Sequence, residues 1–293
     1  MLSRLTVAGV YRLAAMLRAC SRLLGVEIPA GSLRLAHRDI VQGLLNWRVW
    51  FGLAQQDIRL RYKRSVIGPF WIALGMVAMT AGLGLVFSTI LHQEIQFYLP
   101  YLAAGLICWH FIATNTTEAP LTFIHAQSVI VSMALPLSVH VHRVLVRNIL
   151  VLLHNFLAYI GLVVYLGIEI NANMLYIIPG LFLLAGNMLF AGLLLSIVGA
   201  RFRDLTQIIA TGLQLAFFLT PIIWNRSQIA GGATRYWIDG NPVYHLIEVV
   251  RAPMLGQEPP LHSFLFALVM CLLLAALSYI VFGMFRRRIP YWL

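Results

Sequence analysis

Trp47-Arg48-Val49-Trp50-Phe51-Gly52-Leu53-Ala54-Gln55-Gln56-Asp57-Ile58-Arg59-Leu60-Arg61-Tyr62-Lys63-Arg64-Ser65-Val66-Ile67-Gly68-Pro69-Phe70-Trp71 runs from a basic amphipathic segment straight into a long apolar one. Wound at 3.6 residues per turn, Trp47, Trp50, Phe51, Ala54, Ile58 and Tyr62 form one stripe, with Arg48, Gln55, Arg59 and Lys63 opposite. That division predicts a helix over Trp47–Arg64 lying in the lipid headgroup layer. Asp57 and Arg61 fall near the edge of the apolar stripe. Gly68-Pro69 then breaks the helix, and a membrane span begins at Phe70.

Composition agrees with that reading. Of the 293 residues 60% are hydrophobic and 11% charged, too little polar surface for a water-soluble globule of this length. The formal net charge of +11 could suggest nucleic acid as a partner. The basic residues flank apolar runs, however, and do not form a soluble basic domain, so they are read as facing membrane lipids and not nucleic acid. Cys20, Cys108 and Cys271 form neither a disulfide framework nor a metal site. Residues 1–25 carry Arg4, Arg12, Arg18 and Arg22 among apolar residues without an unbroken apolar stretch or a cleavage signal. They read as a surface-lying extension, not a signal peptide.

Apolar runs of about twenty residues, the length a bilayer requires, recur at Phe70–Leu91, Leu99–Ala119, Ile149–Ile168, Leu175–Gly199, Leu205–Trp224 and Leu261–Phe285. The expected fold is therefore an all-α integral membrane protein of about six transmembrane helices, with an amphipathic interface helix before the first. The second run is the weakest, because His110, Asn115, Thr116, Thr117 and Glu118 make its end polar. An even number of spans places both termini on one side, and nearly every Lys and Arg falls on that side, leaving Arg226, Arg235 and Arg251 for the other. The rule that basic loops stay inside makes both termini cytoplasmic.

Two inner loops follow. One is a segment framed by Pro120 and Pro136, and the other is the tight Arg201-Phe202-Arg203-Asp204 turn. Two outer loops, near His92–Tyr98 and Glu169–Met174, are short. The third, from Asn225 to Pro260, is long and only half polar. Within it Asn241–Arg251 reads as a helix opened by Asn-Pro, too short and too charged to cross, which suits a helix dipping partway into the membrane. Lys63 is the chain's only lysine and no Gly-rich phosphate loop precedes it, so the chain lacks a Walker A motif.

Asp57–Trp71 resembles the membrane permease subunit of ABC-type polysaccharide exporters, which move O-antigen, capsule, teichoic acid or related glycans. Three later stretches follow the same pattern in the same order: Ala200-Arg201-Phe202-Arg203-Asp204-Leu205, Phe217-Phe218-Leu219-Thr220-Pro221-Ile222-Ile223-Trp224 and Asn241-Pro242-Val243-Tyr244-His245-Leu246-Ile247-Glu248. The resemblance covers residues 39–293, a permease domain, and leaves 1–38 as an extension. It implies a bacterial inner-membrane protein that forms a homodimer with two copies of a separate ATPase subunit. ATP and Mg would bind that partner, with no cofactor in this chain, and the substrate would be a lipid-linked polysaccharide such as O-antigen. Capsular polysaccharide or teichoic acid is the alternative cargo.

Carried over residue by residue, the family's cytoplasmic gate falls on Trp47, Trp50, Arg59, Arg61, Tyr62, Lys63 and Arg64. The helix that seats in the ATPase falls within Thr122–Leu135, with Phe123, Ile124, His125 and Val129 as its contacts. Arg201, Arg203 and Asp204 form the second contact. Re-entrant helices of the third outer loop close the channel outside, with Asn241, Pro242, Tyr244, Glu248 and Arg251 on one of them.

Each chemical reading has a plainer rival. Arg59, Arg61, Lys63 and Arg64 lie at the depth of lipid phosphates and could recognise a glycan's phosphate or pyrophosphate, or could serve as positive-inside anchors alone. Tyr98, Tyr101, Trp109, Phe111, Phe217, Phe218 and Trp224 could stack on sugar rings along a channel, or pack in the core and the interfacial belts. His110 and His154 could relay protons, though hydrogen bonding between helices is the commoner use. His140 and His142, two apart, face different ways on a helix and make a poor metal pair. Glu118, near the inner end of the second span, is the best single acidic candidate for function, with a salt bridge or snorkelling to the interface as its plainer rivals. A membrane glycosyl- or acyltransferase would need converging acid, base or nucleophile, and a proton-coupled carrier would need charges deep in several spans. The sequence offers neither.

Overall fold

The computed structural model describes residues 31–68, 70–226 and 233–293, the side chains of 233–235 excepted. Most of the expected extension, Pro69 in the first helix break and residues 227–232 of the third outer loop lie outside the described residues.

All regular structure described is helical. Helix α1 (Ser32–Leu45) runs across the expected 38/39 boundary and turns at Asn46 into α2 (Trp47–Arg61). Five helices are long and apolar enough to cross a membrane. These are α3 (Phe70–Ile90), α4 (Ile95–Glu118), α7 (Ser138–Leu166), α8 (Ile177–Arg201) and α12 (Leu261–Phe285). Short helices α5 (Thr122–His125) and α6 (Gln127–Ser132) fill the proline-framed loop between α4 and α7. After α8 come α9 (Leu205–Leu219), α10 (Ala233–Asp239), α11 (Pro242–Met254) and, closing the chain, α13 (Ile289–Trp292). The protein is a multi-pass, all-α membrane protein.

Five of the six expected spans are present as helices long enough to cross, the fifth expected run, Leu205–Trp224, forms only the shorter α9, and three helix boundaries differ from expectation. Helix α7 starts at Ser138, well before the apolar run at Ile149, because its first turns pack on protein and carry His140, His142, Arg143 and Arg147 there. Helix α2 ends at Arg61, not Arg64. Arg64 adopts a left-handed conformation (φ 72°), which a helix cannot continue through, and Gly68 (φ 62°) donates its N–H to Ser65 Oγ. Helix α9 stops at Leu219, about 22 Å long at 1.5 Å per residue and short of the hydrocarbon thickness. Pro221 supplies no N–H and pushes Thr220 into extended backbone (ψ 136°), so residues 220–223 continue as buried non-helical chain, with Trp224 half-buried after them.

The span with the most polar end is the most enclosed of the five. Helix α4 sits among α3, α7, α9 and α11, and Leu102–Cys108 are buried all round. Ala103, Ala104 and Gly105 are small enough to let those neighbours approach. Three of its polar residues are satisfied on their own helix: Asn115 donates to the Phe111 carbonyl, Thr116 to Ile112 and Thr117 to Ala113. Two glycines of α8 set close approaches elsewhere. A Cβ at Gly180 would meet the Val249 carbonyl of α11, and one at Gly199 would meet the backbone of Pro120.

Candidate functional site

Functional candidates gather at two ends of the bundle. At the basic end, α2 lies against the first turns of α7. Ala54 and Ile58 are buried, Trp50 stacks on His142 (5.8 Å between rings, 21° between planes), and Trp50 Nε1 donates to the Gly43 carbonyl. Asp57 is not a lipid-edge residue. It accepts from Arg143 Nε (2.8 Å) and Nη2 (2.5 Å) and from Arg147 Nη1 (3.2 Å). Arg147 and Asn148 also donate to Glu118, at 2.5 and 2.9 Å, and Arg61 reaches Glu118 at 3.5 Å. One network of charges thus fastens α2 to α7 and to the end of α4. Glu118 makes the salt bridge its sequence position suggested.

The other gate candidates face away from this network. Trp47, Arg59, Lys63 and Arg64 are exposed, and Tyr62 caps the end of α2 through its N–H to the Ile58 carbonyl. The predicted apolar stripe is therefore split: its middle packs on protein while Trp47, at 52% exposure, faces outward.

The proline-framed loop is held at both ends. Ser196 donates to the Ala119 carbonyl at its start, where Gly199 also meets Pro120. At its finish, Asp39 of α1 accepts from the backbone N–H groups of Leu137 and Ser138 at 3.1 and 3.0 Å and from Arg286 at 2.7 Å. Between these clamps His125 is exposed, and Ile124 and Val129 are half-buried. Phe123 is fully buried in an apolar cluster with Leu193, Ile197 and Phe282, so it fixes the loop from inside. Val131 and Met133, exposed apolar residues at the tip, are surface candidates that sequence reasoning missed. Their signal was alternation of apolar with small residues inside a polar-flanked loop. Arg201, Arg203 and Asp204 are exposed beside this loop, with the Arg201 guanidinium 5.9 Å from the Trp292 ring.

At the opposite end the break after α9 organises the site. Backbone that leaves the helical pattern within a membrane needs partners from the protein. Tyr98 donates to the Ile223 carbonyl (2.7 Å), the single Tyr101 hydroxyl proton is shared between the Pro221 and Trp224 carbonyls (3.2 and 3.1 Å), and Arg251 Nη1 donates to Pro221 (2.7 Å). Arg251 is buried, paired with Glu248 at 2.5 Å and seated 4.2 Å over the Tyr101 ring. Asn241 caps α11 by accepting from Val243 and Tyr244, and its amide donates to Thr220. Pro242 occupies the first helical turn and is exposed, while Tyr244 is buried. His245 bridges the Asp239 carbonyl and Ser263, and burial holds its pKa below the ordinary histidine value.

Tyr98, Tyr101, Trp109, Phe217, Phe218 and Trp224 gather along α4 and α9. Trp109 lies 5.5 Å from Phe217, which meets Phe218 edge-on at 5.4 Å, and Trp224 Nε1 donates to the Phe218 carbonyl. Phe218 is 70% exposed. Phe111, like Tyr98, is buried in the main core. His154 lies against its own helix, Nδ1 2.6 Å from the Leu150 carbonyl, and His110 is exposed.

Comparison with known proteins adds a lineage to this geometry. The family model described as "ABC-2 type transporter" matches residues 48–255. A Klebsiella pneumoniae protein named O-antigen export system permease protein RfbA is 26% identical over 182 residues, covering 60% of this chain and 69% of that protein. A Myxococcus xanthus protein of the same name is 24% identical over 219 residues, covering 73% of this chain and 83% of that protein. The matched region runs from α2 through α11, taking in both ends of the bundle, and the protein belongs to the ABC-2 type transporter membrane family.

Proposed function

We propose that the chain is the permease subunit of an ATP-driven exporter that moves a lipid-linked polysaccharide, O-antigen in the first instance, across the bacterial inner membrane. The observation that carries this reading is the joint fastening of a basic interface helix and a proline-framed loop onto the same helix ends. Asp57 and Glu118 hold the one, and Asp39, Ser196 and Gly199 hold the other. A loop that seats in an ATPase and a helix that meets lipid headgroups are thereby tied to the same two helix ends.

The names of the relatives favour O-antigen as cargo. Two copies of this chain would pair with two copies of a separate ATPase that binds ATP and Mg. The exposed apolar side chains Ile208 and Leu215 of α9, a helix without a buried residue among the described residues, support a second copy packing there. Gathering of Arg143, Arg147, Arg201, Arg203 and Arg286–Arg288 at one end supports that end as cytoplasmic, with both termini. The row of half-buried Trp109 and Phe217 ending in exposed Phe218 suits a sugar path, since aromatic faces stack on sugar C–H faces without selecting one sequence of sugars.

Deleting the chain's gene from its bacterium, and restoring it, tests the reading. Surface polysaccharide should vanish while lipid-linked polymer accumulates inside, and both should revert on complementation. Unchanged surface polymer in the deletion strain would refute it. Orientation is checked with single cysteines in intact cells: Arg38→Cys and Arg287→Cys should resist an impermeant thiol reagent that labels Gln257→Cys.

A further inference from the structure

Beneath α2 lies a polar cavity of about 200 Å3 walled by Arg61, Glu118, His125, His140, Arg143 and Arg147. It is separate from the outward face of α2, where Arg59, Lys63 and Arg64 are exposed. His140 is 1% exposed, and among the described residues neither of its ring nitrogens has a partner. Arg147 Nε, also buried, has none either. Polar groups buried without partners are uncommon, and two of them on one cavity wall point to a hydrogen-bonding guest. The three guanidinium groups meet two carboxylates, Asp57 and Glu118, which leaves one positive charge in excess before either histidine is counted.

We infer that this cavity binds a phosphate-class anion, a phosphate or diphosphate group, which displaces Asp57 and Glu118 from the arginines and so unlatches α2. Guanidinium forks match phosphate oxygens two at a time, as they match carboxylates, so one can replace the other without moving the arginines far. His140 supplies a further donor from the buried wall. His125 places α5, the first helix of the proline-framed loop, on the same cavity, so occupancy would be felt where an ATPase is proposed to seat. The anion could be the headgroup of a lipid or a free phosphate compound. Assigning it to the headgroup of a lipid-linked glycan rests on the exporter reading, while the site itself does not.

Binding to the purified full-length chain in dodecyl maltoside, free of phospholipid, is measured by calorimetric titration with inorganic pyrophosphate and with farnesyl diphosphate. Both should saturate. His140→Gln and Arg143→Gln should each weaken binding about tenfold, the scale of one lost charge-assisted hydrogen bond. Glu118→Gln, which removes a competing carboxylate, should tighten it about threefold. A role limited to holding helices together predicts no gain of affinity in that variant. Arg34→Gln, exposed on α1, should bind as the parent does. If His140→Gln or Arg143→Gln fails to elute as folded protein, the Glu118→Gln titration decides. Tighter binding of farnesyl diphosphate than pyrophosphate assigns the site to a lipid headgroup, and equal affinity assigns it to a free anion. Absence of saturation, or one affinity shared by all variants, overturns the site. Undiminished export in strains whose variants no longer bind overturns this inference and leaves the exporter reading standing. Saturable binding by a chain that fails the deletion test does the reverse.

Discussion

Asp39 and Ser138, far apart in the chain, are joined twice: the Ser138 N–H donates to the carboxylate (3.0 Å), and the single Ser138 hydroxyl proton is shared between that same oxygen (2.8 Å) and the Asp39 carbonyl (2.9 Å). Ser138 opens α7, whose first N–H groups have no partner within the helix. A carboxylate there satisfies two of them and lies at the positive end of the helix dipole. Arg286 completes the charge balance from the C-terminal side. Because α1 leads through Asn46 directly into α2, this clamp ties the finish of the proline-framed loop to the helix read as the gate.

Replacing Asp39 by Ala should therefore cost about 3 kcal/mol or more, as expected for the loss of a buried carboxylate that leaves an arginine and two N–H groups unpaired. Ser138→Ala removes only a hydroxyl and should cost about 1 kcal/mol. Thermal unfolding of the purified variants orders them. Equal midpoints for the two would show that the carboxylate is dispensable.

Arg251 and Glu248 give a second test, because each is needed to neutralise the other inside the protein. Glu248→Ala alone should destabilise by about 3–5 kcal/mol, whereas the double variant Glu248→Ala, Arg251→Met should recover part of that loss. A double-mutant cycle on unfolding midpoints checks it. Purely additive losses would mean that the pair is not coupled and that Arg251 acts only through Pro221 and Tyr101.

Most of the helical plan was legible in the sequence because lipid imposes a length and a composition on whatever crosses it. What escaped reading depended on partners distant in the chain. Asp57 lies near the edge of an apolar stripe when α2 is wound alone, and only the arrival of Arg143 and Arg147 from α7 turns it into a fastening point. The start of α7 was hidden for the same reason, since hydropathy marks the part in lipid and not the part in protein. Tyr98 and Tyr101 read as interfacial or channel aromatics, yet their hydroxyls are spent on carbonyls freed by Pro221. Phe123 read as a surface contact because nothing local shows that α8 and α12 close over it. By contrast the Asn241 cap and the Asn-Pro helix start were plain, being interactions within four residues.

Gly199 should tolerate nothing larger. A methyl group there would meet the backbone oxygen and Cα of Pro120, which cannot rotate aside. Gly199→Ala is expected to lose about 1–3 kcal/mol by forcing the start of the proline-framed loop off α8. Gly75→Ala on α3, where a Cβ meets open space, should be neutral or slightly stabilising, since Ala favours the helix by about 1 kcal/mol. Both are read from unfolding midpoints. A neutral Gly199→Ala would show that loop and helix are not in register as described.

The last prediction concerns whether α2 is a latch or a fixed strut. Its attachment is of two kinds: apolar contact through Ala54, Ile58 and Trp50, and ion pairing through Asp57 and Arg61. The ion pairs are unequal. Arg61 is 47% exposed and its bond to Glu118 is long, so solvent and salt weaken it to about 1 kcal/mol or less, whereas Asp57 and Arg147 are largely withdrawn from water. Asp57→Asn should thus loosen α2 while Arg61→Gln barely does. A spin label at Gln56→Cys, an exposed position one residue before Asp57, reports the difference: its spectrum should sharpen with Asp57→Asn and stay broad with Arg61→Gln. The charge exchange Asp57→Arg with Arg143→Asp restores one pair and should restore part of the broadening. On the exporter reading, the loosened variant should also raise ATP hydrolysis by the partner in the absence of substrate, since the latch and the proline-framed loop share α7. An unchanged spectrum in Asp57→Asn would mean that the apolar contacts alone hold the helix and that the charges beneath it serve another purpose.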